Sequence, residues 1–205
     1  MMHLSQIDPK KTAVLVIDMQ NDFIEPGAPI FTEMGYEMCD RLNAFLDAFR
    51  AKGTLIIYSQ NTLRADFLDI GKGKDFCENP VCIEGTHGFE IYPKVAPRPS
   101  DVVLRKSNYS FFQCTPLDKI LRTNQIDTVI ITGVVTDCCC FSTARDAGAL
   151  NYNVGFISDL TGTVGYDDIG YGAFTAEQVH GCFLTTMAVT TADVMTAEDC
   201  LSRLI

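Results

Sequence analysis

The chain predicts a three-layer α/β fold in which a mostly parallel, six-stranded sheet is doubly wound, with helices on both faces. Three observations lead there. Short β-branched runs alternate with longer stretches whose apolar residues recur every three or four positions, the signature of repeated strand–helix units. The runs are apolar along their whole length, which suits strands covered on both faces. The 205 residues, 47% hydrophobic and 20% charged, are enough for one compact core, so residues 1–205 are expected to form one domain.

The strands are expected at Ala13–Ile17, Thr54–Tyr58, Val102–Leu104, Thr128–Ile131, Val154–Ile157 and, more weakly, Ala192–Val194. Between them, Tyr36 to Lys52 carries Met38, Leu42, Phe45, Leu46 and Phe49 on one stripe and is closed by Gly53 beyond its end. Thr115-Pro116 opens the next helix, with proline at a first helical position and Leu117, Ile120 and Leu121 facing inward. Further helices fit Cys138–Leu150 and Thr175–Met187, with a short terminal turn over Asp199–Leu204. The interval 59–101 is rich in Gly, Pro, Asn and charge, and reads as a loop excursion over the sheet edge, either a lid or an oligomer contact.

Composition excludes several functions. Sixteen Lys plus Arg against 26 Asp plus Glu give a formal charge of −10 with no local basic patch, which disfavours nucleic acid and anionic membrane surfaces as partners. The longest apolar stretches, Ala13–Ile17 and Val129–Val135, fall far short of the roughly 20 residues of a membrane-spanning helix. Met1 to Lys11 lacks a secretory pattern, and nine cysteines in a chain with its own core read as free thiols, so a cytoplasmic location is expected. His3, His87 and His180 are scattered, with no His-x-x-x-His or Cys-x-x-Cys spacing, so no metal is expected. Neither Gly71-x-Gly73 nor Gly170-x-Gly172 links a strand directly to a helix as a dinucleotide turn must.

In an open parallel sheet, ligands sit beyond the carboxyl ends of the strands, so polar residues just after each apolar run come first. Asp18 ends the first run, Arg105-Lys106-Ser107 follows the third, and Gly133-Val134-Val135-Thr136-Asp137 leads from the fourth into Cys138-Cys139-Cys140. A carboxylate, an ammonium and a thiol on one rim could form a nucleophilic site. A thiol in the first turn of a helix faces unpaired N–H groups, which lowers its pKa, and Lys106 would extend that effect. Successive helical residues rotate by about 100°, so at most one of the three cysteines can face the rim. A buried carboxylate at Asp18 needs a partner, and Lys106 could supply it as part of a site or as a structural ion pair.

These segments resemble the isochorismatase-like cysteine hydrolase superfamily, a group with a Rossmann-like sheet. The resemblance is carried by Val14–Phe23, by Glu84-Gly85-Thr86, by Lys106 with Tyr109–Phe112, and above all by Gly133–Cys140 running into Ser142–Ala147. It implies Asp18 as base and acid, Lys106 as electrostatic orienter and Cys139, two residues after Asp137, as nucleophile. It further implies a cis peptide between Val134 and Val135 that turns the amides of Val135 and Cys139 toward one oxyanion position. Homodimers or homotetramers, a small-molecule substrate and no cofactor are expected on the same ground.

Within that superfamily, nicotinamidases carry an Asp-x-His metal motif where this chain reads Ser59-Gln60-Asn61-Thr62-Leu63-Arg64. The Gln60-Asn61 pair is similar to the ureidoacrylate branch, which implies Asn61 as a substrate contact, with Phe23 and Tyr109 as aromatic walls. The resemblance therefore implies cysteine-dependent hydrolysis of a C–N bond in a small amide or ureido compound. Its rivals are a vinyl-ether hydrolase using only the aspartate and lysine, a metal-assisted nicotinamidase and a non-catalytic binding protein. A carboxylate on the substrate would look to Arg64 or Arg105.

Overall fold

Six strands, β1 (Thr12–Ile17), β2 (Leu55–Asn61), β3 (Val102–Lys106), β4 (Thr128–Val134), β5 (Asn153–Gly162) and β6 (Asp193–Met195), form one parallel sheet in the order β3-β2-β1-β4-β5-β6. The computed structural model describes residues 3–75 and 79–205; positions 76–78 of the predicted excursion lie outside the described residues. Strand order reverses direction between β1 and β4, so a crevice opens where their carboxyl ends part.

Every residue of β1 and β4 is buried. Val14 and Val16 point into one core and Ala13, Leu15 and Ile17 into the other, as the two-residue period of a strand demands. The first core is covered by α1 (Asn21–Ile24), α2 (Glu33–Glu37), α3 (Cys39–Ala51) and α7 (Ala197–Ser202), through residues such as Leu42, Phe45, Phe49 and Cys200. Against the second lie α4 (Leu117–Thr123), α5 (Phe141–Ala149) and α6 (Ala176–Thr190), through Leu117, Leu121, Ala144, Ala147 and Met187. Gly53 closes α3 with φ +76°, a region glycine enters without steric cost.

Four expectations change. The helix expected to begin at Cys138 is preceded by a π turn, Thr136–Cys140, that runs into α5. Pro116 caps α4 rather than occupying its first turn. Strand β3 lies at the sheet edge with Val103 40% exposed, so it is not covered on both faces. Among its described residues beyond the end of β2 the excursion forms no α-helix, just the 3-10 turns Gly71–Asp75 and Pro93–Val95, yet its second half is anchored in the first core through Cys82 and Val95.

Candidate functional site

The carboxyl ends of β1, β2, β3 and β4 converge because their registers match: Asn61 lies opposite Lys106 and Gly133 opposite Ile17. Gly133 makes that convergence possible. A Cβ there would stand 2.1 Å from the Ile17 carbonyl oxygen, and its φ is +105°, so no larger residue fits.

Asp18 follows β1 with φ +47°, a conformation aspartate tolerates better than most residues, and is fully buried. Its amide donates to Ser59 Oγ at 3.0 Å, and the same hydroxyl donates to its carboxylate Oδ1 at 2.5 Å. The other carboxylate oxygen lies 2.7 Å from Lys106 Nζ, with neither side chain exposing any surface. Lys106 also donates to the Asn108 carbonyl at 3.0 Å and to Cys139 Sγ at 3.4 Å. The ammonium thus makes two hydrogen bonds and one ion pair. Burial alone would push the lysine toward neutrality; the charge and hydrogen bonds of Asp18 and Cys139 outweigh it, and the ammonium is held above its ordinary range.

Cys139 sits on the π turn after the Val134–Val135 peptide, which is cis. The amides of Cys138 and Cys140 both donate to the Val135 carbonyl at 3.2 Å, which winds the turn tightly around that residue. Of the three adjacent thiols, Cys139 is the one that Lys106 contacts. The expectation of a lowered thiol pKa is overturned. Burial pushes Cys139 well above its ordinary value; Lys106 pulls the other way, while the Asp18 carboxylate adds to the rise by its charge and by accepting a hydrogen bond from the thiol. Burial also raises Cys138, to about 11, and Cys140.

The remaining predicted residues divide. Asn61 is half-buried, its backbone clamped by Gln20, whose Oε1 accepts from the Asn61 amide at 2.7 Å and whose Nε2 donates to the Asn61 carbonyl at 2.9 Å. Asn61 and the 66%-exposed Tyr109 line one crevice of about 420 Å³ with Ile70, Lys72, Ser107 and Asn108. Phe23 does not share it. That ring is 7% exposed and packs into the first core with Val134. Arg64 is paired with Asp66 at 2.5 Å, and Arg105 with Glu84, so both guanidinium groups already face carboxylates. Among the described residues, no group of three or more His, Cys, Asp or Glu side chains is arranged to hold a metal ion.

Sequence reasoning missed Ser59, Gln20 and Asn108. A hydroxyl directly after the apolar run Leu55–Tyr58 was the available signal for Ser59, whereas Gln20 lies in the mostly polar stretch Asp18–Asp22 and gave none. Asn108 acts through its carbonyl and leaves no trace in its side chain.

The isochorismatase domain family matches residues 12–199. The ureidoacrylate amidohydrolase RutB of Caulobacter vibrioides is 29% identical over 202 residues, covering 88% of this chain and 90% of that protein. A cysteine hydrolase from Pseudomonas syringae pv. phaseolicola superposes with a TM-score of 0.93 at 34% identity, over 96% of this chain and 93% of that one. The N-carbamoylsarcosine amidase of Thermoplasma acidophilum superposes with a TM-score of 0.74 at 26% identity, over 92% and 97% of the two chains.

Proposed function

The chain belongs to the isochorismatase family of hydrolases, and from that premise we propose that it cleaves a C–N bond of a small amide or ureido compound through a cysteine thioester. The observation that carries this reading is the Lys106 ammonium, buried between the Asp18 carboxylate at 2.7 Å and the Cys139 sulfur at 3.4 Å. The names of two relatives, a ureidoacrylate amidohydrolase and an N-carbamoylsarcosine amidase, point to the same bond type.

Because the resting thiol is held protonated, its proton leaves as attack begins. Asp18 takes it from Sγ, and the sulfur adds to the substrate carbonyl. The amide N–H groups of Val135 and Cys139 would hold the developing oxyanion. Lys106 keeps a positive charge beside both reacting groups, which offsets the negative charge appearing on sulfur. Protonated Asp18 then donates to the departing nitrogen, which leaves as ammonia or a small amine, and the acyl group stays on sulfur. Water, deprotonated by Asp18, hydrolyses the thioester and restores the thiol. Asn61 and Tyr109, on the wall of the adjoining crevice, are the proposed substrate contacts. The mechanism needs a reduced cysteine, a condition the cytoplasm maintains.

The test is an ammonia-release screen of ureido acids, biuret, carbamoyl amino acids, maleamate and nicotinamide, with intact-mass detection of the acyl-enzyme. Turnover with a transient mass increase on Cys139 supports the reading. Turnover of a vinyl ether that survives Cys139→Ala would overturn it.

A further inference from the structure

We infer that His180 is a positioning residue for the turn that carries Cys139, acting through the Thr136 hydroxyl. The nearest described parts of three elements meet at this imidazole. Its Nε2 lies 2.9 Å from the Ser158 carbonyl oxygen on β5, and its Nδ1 lies 2.9 Å from Thr136 Oγ1. A carbonyl can only accept, so Nε2 carries the ring proton. Nδ1 of the neutral ring is then a bare lone pair, and the Thr136 hydroxyl must donate to it.

Thr136 is the first residue of the π turn, directly after the Val134–Val135 peptide, and is fully buried. Its carbonyl accepts from the amide of Phe141 at the start of α5, so its placement sets both ends of the turn that holds Cys139. The ring's hydrogen bonds run to the Thr136 hydroxyl and the Ser158 carbonyl, and neither is to Asp18, Lys106 or Cys139. His180 is not a catalytic residue.

The next residue is tied to the same side of the molecule. Asp137 accepts hydrogen bonds from Thr163, just beyond β5, and from the Tyr166 hydroxyl at 2.5 Å. The turn is thus strapped at two consecutive side chains, one of which is held by the imidazole of His180. The helix bearing His180 is itself fixed at its start by a reciprocal cap: Gln178 N–H donates to Thr175 Oγ1 at 3.3 Å and Thr175 N–H donates to the Gln178 side chain at 2.9 Å.

Protonation would put a second N–H on the ring, aimed at a hydroxyl that had been donating, and the hydroxyl would have to turn its hydrogen away inside a buried site. The groups facing the ring are the Ser158 carbonyl from β5 and, from the π turn, Asp137, the charge that acts on it; Glu177 lies one turn earlier on the same helix. Burial favours the neutral ring, the Ser158 hydrogen bond and Asp137 oppose it, and the net result is a histidine that charges below its ordinary value of 6.5. The strap is therefore intact at neutral pH and is lost on acidification.

This inference concerns the turn and rests on the proposed chemistry only for its activity readout. In the full-length protein, imidazole nitrogen NMR at pH 7.5 is expected to show His180 protonated at Nε2 alone, with its Nδ1 signal shifted by Thr136→Val and restored by Thr136→Ser. His180→Ala is expected to lower kcat by about 10-fold to 100-fold with little change in KM, the scale of a small misplacement of reacting groups. It should also speed alkylation of Cys139 by iodoacetamide, read by intact mass against the exposed Cys114 and Cys182.

His180→Gln, which keeps an acceptor and a donor without a titration, should restore both values and remove one acid-side inflection from the pH profile. An unshifted Nδ1 in Thr136→Val, or a His180→Gln profile superimposable on that of the unmodified enzyme, overturns the inference. If no amide is turned over, the NMR and alkylation results still decide it, so its failure is separate from failure of the proposed reaction.

Discussion

Ser59 holds Asp18 at two points, accepting from its amide and donating to its carboxylate through a single hydroxyl oxygen. That double contact fixes both the left-handed backbone and the direction of the carboxylate. Ser59→Ala leaves a buried N–H and a buried carboxylate oxygen without partners, and such groups cost about 1–3 kcal/mol each. The expected outcome is a loss of about 2–6 kcal/mol in urea unfolding, together with reduced turnover. Unchanged kcat in the variant would show that Asp18 orients itself.

The buried pair of Lys106 and Asp18 is predicted to be coupled. Removing one partner leaves the other charge uncompensated, typically at a cost of about 3–5 kcal/mol. Lys106→Met and Asp18→Asn should each destabilise on that scale, and the double variant by clearly less than their sum. Additive values in a double-mutant cycle would mean the two do not share their energy.

Gly133→Ala tests the convergence of β1 and β4. Its Cβ would collide with the Ile17 backbone at 2.1 Å, with no flexible side chain able to yield. A loss above about 4 kcal/mol, or no soluble protein, is expected. A variant melting within a few degrees of the parent would contradict the close approach.

The buried thiols predict alkaline sensitivity. Burial raises Cys39 to about 11, Cys138 to about 11 and Cys200 to about 12, from an ordinary 9.0, and raises Cys139 and Cys140 as well. Above pH 9 the unfolded chain releases these protons while the folded chain retains them, so the unfolded state binds fewer protons and stability falls as pH rises. Lys106, also raised, adds the same sign above 10.5. Each such group contributes up to about 1.4 kcal/mol per pH unit. The urea midpoint should drop steeply between pH 8.5 and pH 10.5, and a flat profile would refute the burial.

Cys139→Ala is expected to abolish amide turnover, by at least about 10³-fold, and to lower the urea midpoint by a loss of about 1–3 kcal/mol, because the buried Lys106 ammonium loses one of its acceptors. Retained turnover would remove sulfur from the reaction and leave Asp18 and Lys106 to act without it.

Local sequence determined the course of the chain and the roster of reactive groups. Apolar runs and helical stripes report which side chains leave water, and Asp18, Lys106 and the run Cys138-Cys139-Cys140 stood out at their ends, while the choice of Cys139 among the three came from the family resemblance. What only the tertiary structure decided was the state of those groups. Ser59 reaches Asp18 across 41 residues and Lys106 reaches Cys139 across 33, distances over which periodicity carries no information. The same distant packing turned a helix start that should acidify a thiol into a dry pocket that raises it, because desolvation outweighs a terminal dipole once water is gone. The π turn, the half-buried excursion and the neutral His180 behind Thr136 have the same origin: each depends on which surfaces meet in space, and adjacency along the chain does not encode that.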